Sequence, residues 1–160
     1  VSATRFNDAA LALVAAYAAA PGLSGVPVYD TVQAVGFSDP DFVVIGHDGS
    51  VAANGTLNAD PVGGTWTQQD VAEGIRQESG YVNCLVISQS GDVAGMAARR
   101  QRASDLLQAA EDAITGTAAY PASAPGLMFD GTADGRWIPW LSQGAAVIVA
   151  YRVYYSTGWN

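Results

Sequence analysis

The sequence predicts an α+β domain: a mixed, mainly antiparallel sheet with a long hairpin, packed by an N-terminal helix and one long central helix. Three observations predict it. Tyr81 to Ser88 is a short apolar run, Ser90-Gly91-Asp92 turns the chain, and Val93 to Ile114 carries apolar residues at helical spacing. Asp41-Phe42-Val43-Val44-Ile45-Gly46 is apolar on both faces, as a strand in the middle of a covered sheet is. Ala145 to Tyr155 alternates, with Val147, Val149, Tyr151, Val153 and Tyr155 on one face and Ile148, Ala150, Arg152 and Tyr154 on the other.

The elements follow in order. Ser2 can cap a first helix whose stripe is Phe6, Ala9, Ala10, Leu13, Ala16 and Tyr17. Ala20-Pro21-Gly22 stops it, because proline disfavours helix at the preceding residue. Val26 to Asp30 is short and extended, and Pro27 removes a ladder donor, so it belongs at an edge if it is a strand at all. From Gly49 to Gly64 the chain turns to Gly, Asn, Asp and Pro, a loop of a length that compact domains seldom carry without use.

Thr65 to Ile75 alternates, but both faces are largely polar: Thr65, Thr67, Gln69, Val71 and Glu73 against Trp66, Gln68, Asp70 and Ala72. Gln77-Glu78-Ser79-Gly80 is expected to turn this arm into the strand from Tyr81, giving a hairpin from Thr65 to Ser88 whose first arm projects beyond the core. A two-sided polar ribbon has little of its own core to hold it and exposes unpaired edge groups, which a neighbouring copy could satisfy.

Asp92 is placed to cap the long helix, whose stripe is Val93, Met96, Ala103, Leu107, Ala110 and Ile114, widened by Leu106 and Ala113. Arg99 and Arg100 flank the stripe, with stems suited to lie on the core and heads free to pair. Gly116 ends the helix. Leu127-Met128-Phe129 leads to Arg136 to Leu141; Ser142-Gln143-Gly144 turns into the final strand, and Pro139 marks its partner as an edge or bulged strand.

The 160 residues suit one domain spanning 1–160. Fifteen acids against seven arginines and no lysine give a net charge of −8, which argues against gripping a phosphate backbone. No apolar run reaches the ~18 residues of a spanning helix, and the start of the chain lacks the charged and apolar blocks of a signal peptide. Cys84, the single cysteine, sits in an apolar strand and is expected to be a buried small hydrophobe.

No catalytic set stands out. His47, the only histidine, lies in Gly46-His47-Asp48-Gly49 where a strand meets a loop. A metal or proton-relay role needs partners, and Asp39, Asp41 and Asp48 have no ligand spacing with a second His or Cys, so a turn residue is expected. Ser90-Gly91-Asp92 has neither the glycine run nor the lysine of a phosphate loop, and its acid would repel phosphate. No cofactor is expected. The tryptophans and tyrosines lack interleaved positive charge, so packing explains them better than base stacking.

Several segments together carry a family resemblance: Asp41 to Gly49, the arm at Thr65-Trp66-Thr67-Gln68-Gln69, Asn83 to Asp92, the arginine-rich turn Arg99 to Arg102, and Gln143 to Val147 with its tyrosine-rich end. In order and spacing the chain resembles, from about Thr4 to Tyr155, the tail terminator (tail completion) proteins of long-tailed bacteriophages, especially those of high-GC actinobacteria. Such relatives often carry Trp-Ser-Gly-Asp at the strand-to-helix turn, where this chain has Gln89-Ser90-Gly91-Asp92; its helix end and following loop depart as well.

The resemblance implies a homo-oligomeric ring, usually of six copies, that caps the finished tail tube, ends its growth and meets the head-completion protein. It would be located in the virion at the head–tail interface and in the host cytoplasm during assembly. DNA would pass through the lumen unbound, no membrane would be involved, and an acidic lumen would repel the passing DNA. On this basis the expected subunit contacts are Thr65, Trp66, Thr67, Gln68, Gln69, Asp70, Glu73 and Arg76 of the ribbon, with Arg99, Arg100 and Arg102 of the helix. The alternatives are another connector or tail-tube component, a free-standing binding domain, and, from a different class, a small hydrolase using His47.

Overall fold

In the computed structural model, which describes residues 4–31, 38–53, 57–73, 75–91, 93–140 and 145–157, two helices and a six-stranded, mostly antiparallel sheet make an α+β fold. The helices are α1 (Phe6–Ala19) and α2 (Met96–Asp112); the strands are β1 (Val28–Asp30), β2 (Asp41–Ile45), β3 (Gly64–Ala72), β4 (Ile75–Ser90), β5 (Leu127–Trp140) and β6 (Ala145–Thr157). The sheet runs β1-β2-β4-β6-β5, with β3 beside β4.

The 16-residue β4 is the axis of this sheet. One of its edges pairs with β6 from Ser79 to Ser90. Along the other edge it changes partner: β3 pairs with Ile75 to Val82, and β2 with Cys84 to Ser88. The expected hairpin exists, but its turn lies between Ala72 and Ile75, not at Gln77-Glu78-Ser79-Gly80. Four residues expected to turn are instead extended, because Glu78 and its neighbours bond to β3 and β6 on either side. Val71 forms a bulge near the tip. The parallel β1 is the expected edge piece.

Both helices cover one face of the sheet. Ala9, Ala12, Leu13 and Tyr17 of α1 and Ala103, Leu106 and Ala110 of α2 are buried there on Val82, Cys84, Val86, Val149, Tyr151 and Val153. Small residues at the contact let the helices lie close. Leu106 sits at the centre of the α2 stripe and Leu107 at its side, the reverse of the order expected from the sequence. Cys84 is fully buried beside the hydrogen-bonded Tyr17 and Tyr151 hydroxyls, and burial drives its thiol pKa well up, so it is an inert core residue as expected.

Neither expected cap lies within the described residues, since Ser2 and Asp92 fall outside them, as does the turn at 141–144. At the N-terminus of α1, Arg5 occupies the capping position without a cap bond of its own side chain. At α2 a 3-10 turn, Val93–Gly95, precedes the helix, and Gly95 takes the cap position.

The second face carries a smaller apolar cluster of Phe42, Val44, Leu85, Ile87, Ile148 and Ala150. The long loop covers it. Leu57 packs on the cluster, Val51 and Leu57 form an isolated bridge, and the Gly49 backbone presses against the sheet. A Cβ on Gly49 would lie 3.1 Å from Ala150, 3.2 Å from Ile138 and 3.3 Å from Leu85, at a φ of +80°. Gly49→Val should therefore destabilise the fold by about 2 kcal/mol through strain and overpacking. Urea unfolding checks this; a loss under about 0.5 kcal/mol would mean that the loop gives way freely.

The edge strand β5 departs from the sequence expectation in being continuous through Asp130 to Gly135. It accommodates those turn-like residues as two bulges, between Phe129 and Gly131 and between Ala133 and Arg136, with Asp134 at φ +57°.

Candidate assembly interface

Half of the sixteen residues of β4 are polar, and three of these are buried anchor points. Glu78, Asn83 and Ser88 are 3%, 6% and 0% exposed. Each ties the strand to a different part of the molecule.

Glu78 holds the root of the hairpin. Its carboxylate accepts hydrogen bonds from the Thr4 hydroxyl (2.9 Å), the Arg5 backbone N–H (2.9 and 3.1 Å), the Gln68 amide (2.9 Å) and the Tyr155 hydroxyl (2.9 Å). It therefore serves the first turn of α1 as a cap supplied from 73 residues away, where the positive end of the helix favours an anion. Its own backbone N–H donates to the Thr157 hydroxyl at 2.9 Å. Burial alone would raise the carboxyl pKa. The bonds from Gln68, Arg5, Thr4 and Tyr155 outweigh it and hold the group below the usual carboxylate value. The same contact, after burial, pushes the Tyr155 hydroxyl up.

Asn83 marks the point where β4 exchanges β3 for β2. Its carbonyl accepts from the Gly46 and His47 N–H groups at 2.7 and 3.1 Å, and its N–H and amide donate to the carbonyls of Gly63 and Val62 at 2.8 and 3.0 Å. Both ends of the long loop are thus tied to one residue. Just before that loop His47 is completely buried, its Nδ1 accepting from the Gly49 N–H (2.9 Å) and its Nε2 lying 3.0 Å from the Asn58 carbonyl. This arrangement fixes the Nε2–H tautomer and a neutral ring. Burial lowers the His47 pKa, against smaller opposing effects from Asn58 and Asp48. Below pH about 6.5 the unfolded state takes up a proton that the folded state resists, so stability should fall there. His47→Gln should flatten that part of a pH series of urea midpoints; an unchanged slope between pH 7 and 5.5 would count against this role for the ring.

Ser88 joins the far end. Its hydroxyl donates to Asp41 (2.7 Å) and accepts from Arg99 (3.2 Å); Arg102 Nε donates to Asp41 at 2.8 Å, and Arg99 lies 3.8 Å from the same carboxylate. Arg99 and Arg102 thus dock α2 on the sheet within the chain, while Arg100 is exposed. Asp41→Asn should cost about 1–3 kcal/mol, since two charge-assisted contacts to a carboxylate that is 18% exposed are weakened. Thermal unfolding in low and high salt checks this, with a smaller difference expected in high salt.

The ribbon contrasts with these anchors. Thr65, Trp66, Thr67, Gln68, Gln69 and Asp70 on β3, Glu73 at the turn and Arg76 on β4 are all exposed. Beyond Ser79 the two arms pair chiefly with each other, since the β4–β6 register begins at Ser79. From Thr67 to Ala72 this is a reach of roughly 17 Å. Asp70 and Arg76 pair at 3.2 Å with both side chains more than two-thirds exposed, a contact worth little in water. Trp66, Val71 and Ile75 are 43%, 47% and 37% exposed. The eight ribbon residues therefore lie together on one hairpin, divided between its two faces. Arg99 and Arg102 sit with Ser88, roughly 40 Å along β4 from Arg76.

The sequence could have signalled Asn83 and Ser88 only as polar positions in and at the end of an apolar run, and Glu78, among Arg76, Gln77 and Ser79, carried no signal of its own. Among the described residues no group of His, Cys, Asp and Glu could hold a metal ion, and no helix is long and apolar enough to cross a membrane. No family model and no curated protein matches the chain.

Proposed function

We propose that this chain is a structural virion protein that assembles into a ring, hexameric in the manner of the tail terminators it resembles, capping the tail tube and joining it to the head-completion protein while DNA passes through the lumen. The observation that carries the assembly part is the hairpin: nine residues of β3, eight of them exposed, are held out from the core by a buried carboxylate at their root. A two-stranded ribbon is marginal in water by itself. Glu78 holds this one at a fixed angle, as a contact arm requires and a solvated loop does not. The engagement of both His47 ring nitrogens supports a structural part for that residue over the hydrolase alternative.

Native mass measurement and electron microscopy of the chain, alone and with tail tubes, test the proposal. Rings of a single size, or a single ring at one end of each tube, are expected. Long tubes from the chain alone would indicate a tube component instead. A monomer at all concentrations that leaves tube ends bare would overturn the proposal.

A further inference from the structure

We infer that the ring junction is a strand pairing: the outer edge of β3 in one copy adds to the outer edge of β5 in the next, so that the sheet continues across the subunit boundary. This rests on the ring reading above and adds the surface and its partner.

Four features support it. First, β3 and β5 are the two ends of the stretch β3-β4-β6-β5, and among the described strands neither has a partner on its outer side. Second, the direction is right. Each neighbouring pair in that stretch is antiparallel, so β3 and β5 run oppositely, and two copies set side by side in the same orientation bring them together as an antiparallel pair. Such a head-to-tail contact uses two different edges and can close into a ring, whereas pairing β3 with another β3 gives only a two-fold dimer.

Third, the two edges match in character. The register puts Trp66 on the sheet face shared with Tyr155, and Trp137 on the face shared with Val149, which is the same, helix-covered face. They are 43% and 51% exposed, so each edge offers one half-covered tryptophan on the same side. Fourth, β3 has no proline or lysine to blunt it, and its one bulge lies at the tip. The bulges of β5 do not abolish its edge. They divide it into three regular runs, Leu127 to Phe129, Gly131 to Ala133 and Arg136 to Trp140, limit the length that can pair without a break, and add the local bend that a closed assembly needs.

Paired cysteines test this in the full chain. Thr65, Thr67 and Gln69 share a sheet face with Tyr81, over whose ring Arg152 lies, and Ala133, opposite Arg152, is on that face as well. The buried Cys84 stays out of the reaction. Each of T65C, T67C and Q69C is combined with A133C, oxidised with and without tail tubes, and run on non-reducing gels beside the single variants. At least one double variant should give a ladder of linked species ending in a closed product, with the singles unlinked. Dimers from a β3 cysteine alone would overturn the inference in favour of β3 self-pairing. Rings seen by microscopy with no double variant linked would overturn it while leaving the ring reading in place. Monomers throughout, with bare tube ends, would overturn both.

Discussion

Glu78→Ala is expected to destabilise the protein by about 3 kcal/mol at pH 7, because it leaves the Thr4, Arg5, Gln68 and Tyr155 donors without their common acceptor. For a chain of this length that is a fall of about 6–12 °C in the thermal midpoint. The effect should reach further than a core truncation of similar size. One residue fixes the start of α1, the angle of the hairpin and the end of β6, so all three lose their tie together. Glu78→Gln keeps the shape but presents two donors among donors, and should cost less, about 2 kcal/mol.

The pH dependence separates the charge from the shape. The folded-state pKa of Glu78 is depressed, so its contribution is complete above the unfolded value of about 4.3 and is lost as pH falls through the lower folded value. The stability difference between the wild type and Glu78→Gln should therefore be constant from pH 7 to about 5 and shrink in more acid solution. Urea midpoints of both proteins at pH 7, 5 and 3.5 decide this. A difference that persists unchanged at pH 3.5 would mean that the carboxylate charge contributes nothing.

The second large effect is on assembly, with little change in stability. Removing Asp70 to Arg76 and closing Gln69 to Gln77 through Asn-Gly shortens the hairpin at a register pair that already faces across the two arms. All the described residues removed are exposed, so the urea midpoint should move by the equivalent of no more than about 1 kcal/mol. Ring formation or attachment to tube ends should be lost. A shortened chain that assembles as the wild type does would remove the hairpin from the interface and with it the main support for an assembly role. A chain that fails to fold would show that the ribbon stabilises the domain, which its exposure argues against.

The arginines show why the expected interface needed the structure. Arg99 and Arg100 flank one helical stripe with Arg102 close by, and the sequence does not show which of the three is used within the chain. In the fold, Asp41 stands at the start of β2 beside Ser88 of β4, and that carboxylate takes Arg99 and Arg102 for docking α2. Only Arg100 is left fully at the surface. The pairing spans 61 residues, a separation over which sequence pattern carries no information. The turn of the hairpin lies away from its expected place for a related reason. Gln77 to Gly80 has the composition of a turn, but Glu78 is bonded to α1, β3 and β6, and Gly80 is needed for close packing: a Cβ there would lie 2.9 Å from Trp66 Cα and 3.0 Å from the Tyr155 hydroxyl.

By itself the sequence determined what local period and composition control. The α+β class, the two helices, the covered strand from Asp41, the edge strand that carries Pro139, the buried Cys84 and the polar ribbon all follow from residue type and spacing along the chain, since side-chain period dictates which face is buried. Only the tertiary structure decided where the buried polar groups find partners. Glu78 caps a helix whose first residues lie more than 70 positions away, Asn83 gathers both ends of a loop, and Asp41 claims two arginines. A buried hydrogen-bonding group must be satisfied by whatever the fold brings within 3 Å, and that neighbour is set by the packing of the sheet as a whole.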